Sequence, residues 1–129
     1  MSETSLAILS AAGADTARTT AFLDRVFPPP RSFAIRLWNG ETLAGGVGDA
    51  SFTLVLTSPG SLRRMFRPPV ELSLGEAYLR GDFQVEGDLA SAFEIVPVAR
   101  ESFRRPGDAA SLAVQWLRLP DGRLDSAYG

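Results

Sequence analysis

The sequence predicts an α+β fold, a small mixed sheet of four or five short strands with helices packed on one side. Three observations carry that expectation. Phe22, Leu23, Val26 and Phe27 recur at the spacing of a single helical face. Phe33, Ile35 and Leu37 alternate as in a half-buried strand, and Asn39-Gly40 follows as a hairpin turn. Residues 74–89 then place a helix end, a short strand, a tight turn and a new helix start in immediate succession.

Taken in order, residues 1–14 are small and polar apart from Leu6, Ile8 and Leu9, and are expected to be loosely held. Asp15 is positioned to cap a helix running to about residue 27, where Pro28-Pro29-Pro30 stops it. Strands are expected over 33–38, 41–43 and 52–57. Gly45-Gly46-Val47-Gly48-Asp49 lies between the last two as a flexible connector. A phosphate-binding loop would need a helix start directly behind those glycines, and a strand follows instead.

Ser58-Pro59 reads as the N-cap and first position of a helix over 60–66, and Pro68-Pro69 ends it. The next helix, over 70–80, is apolar on two sides: Val70, Leu74, Ala77 and Tyr78 on one, Leu72 and Leu79 on the other. That pattern predicts a sandwiched helix. Gly81 is its left-handed cap. A strand over 83–85, a Glu86-Gly87 turn and the Asp88 N-cap lead into a helix over 89–96 that Pro97 interrupts. Residues 100–105 resume as helix, Pro106-Gly107-Asp108 break and recap the chain, and a last helix covers 109–119. Residues 15–119 are thus expected to form a single domain, with 120–129 as a tail or linker.

Composition excludes several chemistries. The 129 residues include no histidine and no cysteine, and all 13 basic residues are arginine. The commonest general base, the thiol nucleophile, the Schiff-base amine and thiolate metal sites are therefore missing. A net charge of −2 argues against nucleic-acid partners. No apolar run approaches a membrane span, and the N-terminus has no positive flank of a signal peptide. A cytoplasmic protein is expected, peripheral at most to the inner face of the membrane.

Residues 33–93, and above all Gly75-Glu76-Ala77-Tyr78 with Gly81-Asp82-Phe83, resemble the N-terminal domain of the cyclopropane-fatty-acyl-phospholipid synthases. Those enzymes use S-adenosylmethionine to methylenate acyl chains of membrane phospholipids. Their N-terminal domain is a sterol-carrier-protein-like lipid-binding module. The family's glycine-rich cofactor loop has no counterpart after Phe93, and too few residues follow to build a catalytic domain. The resemblance therefore implies a non-catalytic accessory domain that needs no cofactor and binds phospholipid or fatty-acyl chains. A dimerisation or docking module for a separate methyltransferase domain, without a ligand, is the alternative.

The candidate residues follow from this reading. Arg63, Arg64 and Arg67 beside Leu62, Met65 and Phe66 fit a helix resting on anionic lipid, and equally a solvated face of a core helix. Were the face interfacial, replacing the three arginines with glutamine would weaken vesicle binding without unfolding the domain. Trp116 could face lipid, a partner or its own core. Gly75, Glu76, Tyr78, Gly81, Asp82 and Asp88 form the structural motif. Within it Glu76 is read as a buried carboxylate that holds neighbouring backbone donors or meets a lipid head group. Tyr78 is read as a half-buried core tyrosine or a residue orienting a ligand.

Overall fold

The computed structural model describes residues 3–46, 48 and 50–120, with side-chain surroundings from residue 13 onward. The tail expected over 120–129 lies, apart from Pro120, outside the described residues, as do Val47 and Asp49 of the connector. The fold is α+β. Helices α1 (Glu3–Val26), α2 (Ser61–Met65), α3 (Val70–Arg80), α4 (Leu89–Ala92), α5 (Ile95–Arg104) and α6 (Pro106–Leu117) accompany four strands: β1 (Ala34–Arg36), β2 (Thr42–Leu43), β3 (Phe52–Leu56) and β4 (Phe83–Gly87).

The strands lie in the order β2-β1-β3-β4. The hairpin pairs Ile35 with Leu43 antiparallel, β1 and β3 run parallel, and β4 returns antiparallel with Phe83 opposite Leu56 and Val85 opposite Leu54. Period-two alternation puts Phe33, Ile35, Leu37, Phe52, Leu54 and Leu56 on one face, and all six are buried. Intervening residues such as Thr53 and Val55 are half-buried, and Arg36 crosses that opposite face to pair with Glu86.

Phe22, Leu23, Val26 and Phe27 from the end of α1 close the core with Leu62, Met65 and Phe66. Phe66 is its aromatic centre, with ring centroids 5.4 Å from Phe22, 6.1 Å from Phe27 and 6.0 Å from Phe103. Edge and offset contacts of this kind add to the area buried.

Several boundaries differ from expectation, each for a local reason. Helix α1 begins at Glu3, well before Asp15, so the segment expected to be loose is largely helical. Its alanine-rich first half has high helix propensity. Asp15 sits inside the helix and pairs with Arg18 at 3.2 Å instead of capping. The N-cap of α2 is Gly60, not Ser58; Ser58 instead meets the Ser61 hydroxyl at 3.0 Å. Pro97 does not interrupt a helix. The break falls at Phe93-Glu94, and Pro97 lies in the first turn of α5, where its missing N–H has no partner to lose. Pro106 likewise opens α6, three residues ahead of the start expected after the Pro106-Gly107-Asp108 break. Strand β4 extends through Glu86 to Gly87, both expected in a turn.

The connector after β2 is partly pinned. The Arg31 amide donates to Gly45 O at 2.8 Å, and a Cβ at Gly45 would stand 2.1 Å from Arg31 O. Only glycine permits that approach. Arg31 itself is buried and ties three segments together, donating to Asp24 at 3.0 Å, Phe27 O at 2.8 Å and Ala44 O at 3.2 Å.

Candidate functional site: an apolar groove between α3 and α4–α5

Helix α3 has the boundaries the sequence implies, and Gly81 caps it at φ +83° while its N–H reaches Tyr78 O. The cap turns the chain directly into β4. Asp88 then caps α4, its carboxylate accepting from the Ala90 N–H at 3.0 Å and the Ser91 hydroxyl at 2.7 Å. The Ser91 hydroxyl is the main cause holding the Asp88 carboxyl below the usual carboxylate range, with the Ser91 and Ala90 backbone N–H groups adding to it and desolvation opposing. Cap, strand and cap thus set α3 and α4–α5 as two walls, with β4 between them.

The space they enclose is a groove of about 530 Å³. From α3 come Glu71, Leu74, Gly75, Tyr78 and Leu79, the i, i+3, i+4, i+7, i+8 face of one helix. Phe83 and Val85 contribute from β4, and Leu89, Ala92, Phe93, Ile95 and Val96 from the opposite wall. Glu71 is the one charged residue among them. The volume falls within the range of small-molecule sites, which are mostly apolar with few polar groups. The rim is bare: Leu79 is 89% exposed and Phe93 70%.

Among the lining residues, charge stands only at the start of α3. Glu71, at the start of α3, meets Arg100, just past the middle of α5, at 3.5 Å. At the other end of α3 stand Tyr78 and Leu79, with the Tyr78 ring 5.6 Å from Phe83 in an edge contact.

The structure disperses the other sequence-predicted residues. Gly75 and Tyr78 line the groove; Glu76 does not. Its carboxylate is 55% exposed and pairs with Arg80 at 3.7 Å, neither buried nor holding backbone donors. Tyr78 is more exposed than a core tyrosine. Met65 and Phe66 are fully buried, which corrects their assignment to a lipid-facing surface. Asp82 is buried and accepts from Arg64 Nε at 2.9 Å and Arg80 Nε at 3.0 Å.

The two arginines of α2, Arg63 and Arg64, are also occupied. Arg63 stacks over Trp116, 4.6 Å from the ring centroid, and donates to Leu117 O at 3.1 Å. The Trp116 indole N–H returns a bond to Arg63 O at 3.2 Å. Arg64 also donates to Ser58 Oγ at 3.0 Å, and Arg67 is exposed. These contacts join α2 to α6 and to the turn before β4, so Trp116 packs within its own domain. Replacing all three arginines with glutamine would remove the Arg63–Trp116 stacking and the Arg64 bonds to Asp82 and Ser58 and cost stability, contrary to the surface-neutral outcome expected from sequence.

Sequence reasoning missed Glu71, Leu79, Val85, Leu89, Phe93, Ile95 and Val96 as one site. The signal is partly present. The two-sided apolar pattern of α3 predicts a neighbour covering Leu72 and Leu79, whereas Leu72, 58% exposed, and Leu79 are bare. Among the described residues no helix is long and apolar enough to cross a membrane, and no cluster of metal-ligating side chains occurs.

This geometry lies inside a recognisable family span. The family described as domain of unknown function DUF7884 matches residues 20–107, and the chain belongs to it. All the groove residues fall within that span, as does Arg100, whereas Trp116 lies beyond it. No curated protein and no solved structure matches the chain.

Proposed function

We propose that this protein is a non-catalytic module that binds an acyl chain in the groove between α3 and α4–α5, comparable to the N-terminal domain of cyclopropane-fatty-acyl-phospholipid synthases. A sterol-carrier-like use of the fold and a place at a membrane surface belong to the same proposal. The observation that carries it is the groove itself, about 530 Å³ and walled by aliphatic and aromatic side chains. Gly75 adds support. A glycine inside a helix costs roughly 1 kcal/mol relative to alanine, yet a Cβ there would meet nothing within 4 Å. Internal packing gives no reason for it, and an open groove wall does.

The test is titration with a fluorescent single-chain fatty acid. Saturable binding of one ligand per chain is expected. Gly75→Leu, whose Cβ would stand in open space on the groove wall, should abolish that binding and leave the fold intact. Unchanged uptake by Gly75→Leu would reject the groove as the site.

A second reading is favoured by the bare rim, since exposed apolar side chains such as Leu79 and Phe93 also suit a protein partner. In that case the domain docks on a methyltransferase domain or on a second copy of itself. Sedimentation with increasing concentration separates the two. Self-association abolished by Leu79→Gln and Phe93→Gln, without ligand uptake by the parent chain, would favour docking.

A further inference from the structure

The groove lining carries one charge, Glu71, which pairs with Arg100 just outside the lining, and the state of that pair is informative. Arg100 and Glu71 come from opposite walls and are each about half exposed. Their one contact is 3.5 Å, longer than a charge-assisted N–H···O bond of 2.7–2.9 Å. A guanidinium carries five donors in a planar fork suited to two oxygens of a single anion. Glu71 therefore holds Arg100 weakly, and half-exposed pairs of this kind add little to stability.

We propose that Arg100 receives the anionic head of a single-chain amphiphile whose tail lies in the groove, with Glu71 giving up its place. This inference rests on the acyl-binding reading and assigns that ligand its head-group chemistry and its direction. The head sits at the Glu71–Arg100 end, and the tail runs along α3 past Gly75 toward Leu79. A fatty carboxylate and an alkyl phosphate share the required chemistry, an anion with two or more oxygens beside the guanidinium. A neutral ester or alcohol lacks it. Arg100 acts here as a head-group anchor, and Glu71 as the internal competitor that the ligand displaces.

Calorimetric titration of the full chain with decanoate, methyl decanoate and decyl phosphate tests this, with Arg100→Gln and Glu71→Gln alongside the parent. The parent should prefer an anionic head over the ester by about tenfold or more. The tighter of decanoate and decyl phosphate identifies the source of the anion. Arg100→Gln should erase the preference while ester binding stays unchanged. Glu71→Gln, which removes the competitor, should tighten binding of the anion and leave the ester as before. Thermal melts of both variants confirm folding, and Glu71→Gln keeps the inference testable should Arg100→Gln fold poorly. Equal binding of acid and ester by the parent, or an undiminished preference in Arg100→Gln, overturns the head-group assignment and leaves the groove reading standing. Failure of all three ligands to bind overturns the acyl-binding reading beneath it.

Discussion

Two sides of the molecule use similar residues to opposite ends. On the α2–α6 side, arginines, a tryptophan and an aspartate are matched with one another: Arg63 with Trp116, Arg64 and Arg80 with Asp82. On the α3–α5 side, leucines and a phenylalanine that could have been buried are left at the surface, and the Glu71–Arg100 pair is long. The α2–α6 side has the sequence pattern of a functional surface and proves to be bracing. The α3–α5 side has the sequence pattern of a core and proves to be the accessible groove. A charged stripe is evidence of an interface only when its charges lack partners, and an apolar helix face is core only when something covers it.

Substitutions on the two sides should separate accordingly. The core between them sets the scale: Phe66→Ala removes a ring packed against Phe22, Phe27 and Phe103 and should cost about 3–5 kcal/mol by denaturant unfolding. On the braced side, Asp82→Ala removes the carboxylate that Arg64 and Arg80 share. A loss of about 2 kcal/mol is expected, because the arginines remain partly hydrated. Between the sides, Gly81→Val forces a β-branched residue to φ +83° and should cost on the order of 1–3 kcal/mol, read from thermal melts. An unchanged midpoint would show that the helix does not end there.

The Asp88 cap should show itself through pH. Its carboxyl titrates lower in the folded chain than in the unfolded one, so its contribution is complete above the usual carboxylate range. That contribution is lost as pH falls through the lowered folded value. Asp88→Asn should therefore flatten the acid limb of a stability-versus-pH curve and leave its neutral limb parallel to that of the parent. On the groove rim, Leu79→Ser should change stability least, by about 0.5 kcal/mol or less, since Leu79 is 89% exposed. A large loss there would mean that Leu79 belongs to the core and that the contrast between the sides is false.

What can be read from sequence follows the range of the interactions involved. Helix α3, its Gly81 cap, the Asn39-Gly40 hairpin and the Asp88 cap depend on neighbours a few residues apart, and all stand as expected. The pairing of Trp116 with Arg63 spans 53 residues and that of Arg64 with Asp82 spans 18, so no local pattern could disclose them. Pro97 and Pro106 read as breaks because proline disrupts helix interiors. Each lies in a first turn, and only the boundary, which sequence locates poorly, decides between the two roles. The groove is hidden for a related reason. Leu74, Tyr78, Leu89 and Phe93 have the spacing of core-facing residues, and their periodicity cannot say whether the two faces close on each other.

The contrast between the sides is tested most directly by mapping a bound fatty acid onto backbone amide resonances. Decanoate should shift the signals of Gly75, Leu79, Leu89, Phe93 and Val96, with the Gly75 amide reporting from the middle of the groove wall. Signals from Arg63, Arg64 and Trp116 should stay in place. Shifts centred on Arg63 and Trp116, or none at Gly75 under saturating ligand, would contradict the assignment of the groove as the site.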